Sequence, residues 1–71
     1  MAAHITKFIV EDTADGYFTA HLDNGWVRIG LVGCECFAFS PDHAEYNRVV
    51  SLSADDIEAA HDEFMGRYVC A

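Results

Sequence analysis

A chain of 71 residues that is 52% hydrophobic and 13% aromatic predicts a single compact domain over 1–71 and is too apolar to be a disordered acidic tail. Twelve Asp plus Glu against four Lys plus Arg, a formal charge of -8, oppose direct binding to nucleic acid or an anionic membrane. No apolar run approaches the roughly 20 residues of a membrane span, no basic and then hydrophobic leader follows Met1, and three cysteines are too few for a disulfide framework. The expectation is a cytoplasmic protein with free thiols.

The first strand is expected over His4 to Glu11, rich in Ile5, Phe8, Ile9 and Val10. The polar break Asp12-Thr13-Ala14-Asp15-Gly16 suits a hairpin loop, since its glycine accepts backbone angles other residues avoid. Tyr17 to Leu22 alternates, with Phe18, Ala20 and Leu22 on one face and Tyr17, Thr19 and His21 on the other, the pattern of a half-buried strand. Asn24-Gly25 then predicts a tight hairpin turn because both residues tolerate positive φ. The apolar stretch from Trp26 to Phe39 exceeds a usual strand of about 5–6 residues. Gly30 and Gly33 interrupt it, so it reads as two strands, 26–32 and 34–39, or as one strand bent by a bulge. Ser40-Pro41-Asp42 ends this stretch and suits a short helical turn through Tyr46. Arg48 to Leu52 is expected as a last strand.

The C-terminal helix carries the densest local code. Ser53 suits its N-cap, Asp56 the reciprocal position of a capping box, and Leu52 with Ile57 a hydrophobic staple. At about 100° per residue, Ile57, Ala60, His61, Phe64 and Tyr68 share one arc, whereas Asp55, Glu58 and Asp62 point oppositely, flanked by Asp56 and Glu63. The helix should run to about Arg67, with Tyr68-Val69-Cys70-Ala71 folding back on the sheet. The whole is α+β: a four- or five-stranded antiparallel meander with one C-terminal amphipathic helix packed on one face.

Catalysis finds no support in this pattern. Gly-x-Ser-x-Gly, phosphate-loop and His-Glu-x-x-His motifs are absent, and so small a fold leaves little room for a pocket. The sequence therefore predicts no enzyme, cofactor or metal. Cys34-Glu35-Cys36 with His43 and Cys70 lacks the second ligand pair of a structural zinc site, and His61 on the apolar arc reads as a packed histidine. The acidic helix face has two readings. One is a solvated surface that keeps an apolar domain soluble; the other is an imitation of nucleic acid, since an α-helix rising about 1.5 Å per residue can array carboxylates at the order of density of duplex phosphates, about 1.7 Å apart.

In size, acidity and want of motifs the chain resembles the small acidic inhibitors of phages and mobile elements, including anti-CRISPR proteins that act as DNA mimics. The resemblance implies a non-catalytic inhibitor in a bacterial host, docking Asp55, Asp56, Glu58, Asp62 and Glu63 into a basic nucleic-acid-binding surface of a CRISPR effector complex. Glu11, Asp12 and Asp15 would extend that patch. Phe8-Ile9-Val10-Glu11 and Gly16-Tyr17-Phe18-Thr19-Ala20 are similar to the opening hairpin of HicB-type antitoxins, which implies an antitoxin neutralising a basic toxin as the alternative. A small structural or interaction subunit is a third class, and it would rely on apolar residues such as Tyr17, Trp26 or Phe37. A monomer or weak homodimer is expected.

Overall fold

The computed structural model describes residues 3–11, 16–33 and 36–68. Four strands, β1 (Ile5–Val10), β2 (Tyr17–Leu22), β3 (Val27–Leu31) and β4 (Cys36–Phe39), form one antiparallel sheet in the order β1-β2-β3-β4. The α+β meander expected from the sequence is the observed architecture. Each strand pairs with its chain neighbour because the connections are short and supply positive φ: Gly16, Gly25 and Gly33 have φ of 74°, 93° and 86°. The stretch 26–39 is thus two strands joined at Val32-Gly33, not one bent strand. At Asn24-Gly25 the side chain of Asn24 also accepts the Trp26 N–H at 2.9 Å, which fixes the entry into β3.

Two helices, α1 (Tyr46–Val50) and α2 (Ile57–Arg67), cover one face of the sheet. The strand expected over Arg48 to Leu52 is not formed; α1 occupies most of it. The turn predicted at Ser40-Pro41 does form, through His43 N–H to Ser40 and Tyr46 N–H to His43, but it leads into α1 at Tyr46 rather than ending there. The reason is tertiary. Tyr46, Val49 and Val50, at helical spacing, pack together against the core, with Val49 fully buried, and this outweighs the β-preference of two adjacent valines.

The helix expected from Ser53 begins with a 3-10 turn, Ala54–Asp56, before α2 proper starts at Ile57. Ser53 and Asp56 are joined as the capping pattern suggests, although the Ser53 hydroxyl donates to the Asp56 carboxylate at 2.9 Å rather than accepting from a backbone N–H. The Asp56 N–H instead donates to the Ser53 carbonyl at 3.0 Å. α2 ends at Arg67, as expected, and Tyr68 leaves it in an extended conformation to pack on Phe37, Phe39 and Phe64.

The core lies between sheet and helices. Val27, Ile29, Phe37 and Phe39 from the sheet meet Val49, Ile57, Ala60 and Phe64 from the helices. Cross-strand register places Ile9, Thr19, Ile29 and Phe37 in one row of this inner face. β2 therefore turns its more polar side, Tyr17, Thr19 and His21, toward the helices, and its apolar side, Phe18, Ala20 and Leu22, away from them. Thr19 is fully buried, and its hydroxyl has no hydrogen-bond partner among the described residues.

Candidate functional site

α2 divides as its sequence predicts. Ile57, Ala60, His61 and Phe64 are buried, whereas Asp55, Asp56, Asp62 and Glu63 are exposed and Glu58 is half-buried. His61 is a core residue: its ring lies edge-on to Tyr17 and Phe37, with centroids 5.2 and 5.7 Å away. Burial pushes its imidazole below the ordinary value, opposed by the Asp62 charge.

The acids separate into three groups. Asp55, Asp56, Glu58 and Asp62 line the solvent side of the 3-10 turn and α2. Glu63 is different, because Arg48 from α1 and Arg67 one turn along α2 both bind its carboxylate, the latter at 2.9 Å. The Arg48 hydrogen bond holds Glu63 below the usual carboxylate range, and the same bond raises the Arg48 guanidinium. Arg67 also pairs with Glu45, which accepts from the Tyr68 hydroxyl at 3.3 Å. Two cations thus border one edge of the acidic face and neutralise part of it. Sequence periodicity places Glu63 on the flank correctly but cannot see α1 delivering Arg48 to it, across the ring face of Phe64 at 5.5 Å.

Glu11 does not extend the patch. It is 8% exposed, and its carboxylate accepts the Glu58 backbone N–H at 3.4 Å, so it sits at the N-terminus of α2 where the helix dipole favours negative charge. Its own N–H donates to the Tyr17 carbonyl at 2.8 Å, which fixes it beside the hairpin. Asp12 and Asp15 lie outside the described residues, as do Cys34, Glu35 and Cys70. Among the described residues no cluster of His, Cys, Asp and Glu is placed to hold a metal ion, and no helix is long and apolar enough to cross a membrane.

No family model, curated protein or solved structure matches the chain. The surface itself therefore carries the functional argument, and it has a second feature that the sequence reading did not identify.

Among the described residues no helix packs on the outer sheet face, which is largely apolar. Ile5, Phe8, Val10 and Trp26 are 57%, 51%, 47% and 42% exposed, and the rings of Phe8 and Phe18 stack with centroids 5.3 Å apart. Beside them Ile5, Leu22, Trp26 and Ala38 line an open depression of about 550 Å³ that also takes in Arg28. Of the apolar residues expected to serve an interaction subunit, Trp26 lies here. Phe37 is in the core and Tyr17 faces α2. The usable signal was the strict alternation of β2, whose apolar half had to lie either under the helices or in the open.

Proposed function

We propose that the chain is a non-catalytic binding protein that presents the solvent side of α2 to a basic partner surface, as an anti-CRISPR-type inhibitor would in the nucleic-acid groove of a CRISPR effector complex. The observation that carries this reading is the division of α2: its apolar side is spent on the core, which leaves Asp55, Asp56 and Asp62 exposed on the other side with Glu58 half-buried among them. Their spacing refines the reading. From Asp55 to Asp62 the axis rises about 11 Å, or about one charge per 3 Å, near the 3.4 Å of a single DNA strand and about half the density of a duplex. A partner groove that grips one phosphate backbone is a better match than one that encloses both strands.

Charge reversal tests this directly. Asp55→Lys with Asp62→Lys changes two exposed side chains and leaves the core untouched. Binding to a purified effector complex should weaken as salt rises, and the double variant should lose both binding and protection against DNA engagement while keeping its circular dichroism. Wild-type inhibition by the double variant refutes the assignment. The antitoxin alternative places the same face against a basic toxin, and rescue of cells expressing that toxin separates the two.

A further inference from the structure

The geometry points to the outer face of the sheet as the site at which a second copy of this chain docks, two sheets packing face to face with the helices outside. The inference is independent of the acidic face. It starts from the outward side of the sheet, where β2 contributes a buried Ala20 and half-buried Phe18 and Leu22, while Ile5, Phe8, Val10 and Trp26 around them stay exposed. A domain this small gains from every apolar side chain it removes from water, and those four are removed only if something packs on this face.

The face is complementary to itself. Register aligns Phe8, Ala20, Arg28 and Ala38 in one row across the four strands, and Val10, Phe18 and Gly30 in the next. The rings of Phe8 and Phe18 thus stand on β1 and β2 and the small Ala38 and Gly30 on β4 and β3, with Arg28 and Trp26 as the large side chains of the β3 side. A two-fold axis parallel to the strands, between β2 and β3, lays β1 and β2 of each copy on β4 and β3 of the other. Phe8 then faces Ala38 of the second copy and Phe18 faces Gly30, big against small, while Leu22 meets the Trp26 ring, as in a sheet sandwich about 10 Å thick. Because the contact is isologous, each of these pairs occurs twice.

Charge limits how closely the sheets pack, because the two Arg28 side chains flank the axis and must keep their guanidinium groups in water. Arg28 is the one charged side chain among the described residues of this face, and unlike Arg48 and Arg67 it has no ion-pair partner among them. In the paired sheets it lies over Ala20 of the second copy, within reach of the stacked Phe8 and Phe18 rings, where a guanidinium gains cation–π attraction. The acids of the two α2 helices end on opposite outer surfaces, roughly 30 Å or more apart, beyond a Debye length of about 8 Å at physiological salt. A chain of charge -8 thereby associates without bringing its carboxylates together.

Area sets the strength. At their observed exposures, Ile5, Phe8, Val10 and Trp26 offer about 400 Å², given roughly 150–250 Å² for a whole aromatic side chain. With the edges of Phe18, Leu22 and Arg28 the pair buries about 1,000 Å² in total, the lower bound for a specific interface, so the dimer is reversible rather than obligate.

Sedimentation equilibrium of the full chain under reducing conditions, from about 1 μM to about 1 mM, brackets an interface of this size. The expected result is a monomer–dimer equilibrium that persists in high salt, opposite to the salt response of the acidic face. Ala38→Lys places a charge where the second copy's Phe8 should sit, and Phe8→Lys removes that ring; each should raise the dissociation constant about a hundredfold or more. Ala38 is exposed and outside the core, so Ala38→Lys remains decisive if Phe8→Lys fails to fold. A chain monomeric throughout overturns the inference and leaves the face to an apolar segment of another protein. A dimer indifferent to Ala38→Lys overturns it equally. Asp55→Lys with Asp62→Lys should dimerise as the wild type does, which keeps this outcome separate from that of the acidic face.

Discussion

Replacing His61 by leucine should stabilise the protein and remove part of its sensitivity to mild acid. His61 is 6% exposed, and neither ring nitrogen has a hydrogen-bond partner among the described residues. The groups facing it are the rings of Tyr17 from β2 and Phe37 from β4, with Asp62 as the neighbouring charge on its own helix. A neutral imidazole held there forfeits about 1–3 kcal/mol for an unmet buried polar group, while leucine loses edge-to-ring contacts worth about 0.5–1.5 kcal/mol. The net gain is about 1 kcal/mol near neutral pH. Acid enlarges it, because burial lowers the folded-state pKa of His61 below 6.5. As pH falls beneath that value the unfolded chain binds a proton that the folded chain declines. Stability is full above the unfolded pKa, falls by up to about 1.4 kcal/mol per pH unit, and levels off only below the folded pKa. His21 shifts the same way, through burial and then Lys7, so the wild type carries two such groups and His61→Leu removes one. Urea unfolding followed by Trp26 fluorescence at about pH 7.5 and about pH 5.5 straddles the ordinary imidazole value. Equal losses of stability on acidification in the wild type and His61→Leu would refute the account.

Two further perturbations test the packing and the turn. Phe64→Ala removes a ring that is fully buried against Phe37, Phe39 and Tyr68; the cost of about 3–5 kcal/mol rivals the total stability of so small a domain, and the variant should lose its cooperative thermal transition. A sharp transition within a few degrees of wild type would show that Phe64 does not hold the layers together. Gly25→Ala forces a Cβ into a residue at φ 93°, 3.3 Å from the Pro41 ring, and should cost about 1 kcal/mol or more, read as a lower melting temperature with no change in helix content. An unchanged melting temperature would mean that the turn does not need glycine.

The parts of this fold that depend on neighbours along the chain were legible in the residues. Asn24-Gly25 marked a turn because positive φ is a property of a residue and its immediate context, and Ile57, Ala60, His61 and Phe64 marked a buried helix side because helical periodicity is geometry within one segment. The acidic composition of α2's solvent side followed from the same periodicity. Tertiary structure decided what remained. Arg48-Val49-Val50 carries strand propensity and helical spacing at once, and only the core that receives Val49 selects the helix. Glu11 reads as a loop acid until β1 brings it to the first turn of α2, and Glu63 as an exposed charge until α1 supplies Arg48. The alternation of Tyr17 to Leu22 is symmetric with respect to which side is buried. Packing of α1 and α2 settled it, covering Thr19 and His21 and leaving Phe18 and Leu22 on the open face, because a strand's period of two defines two faces but only a contact remote in sequence covers one.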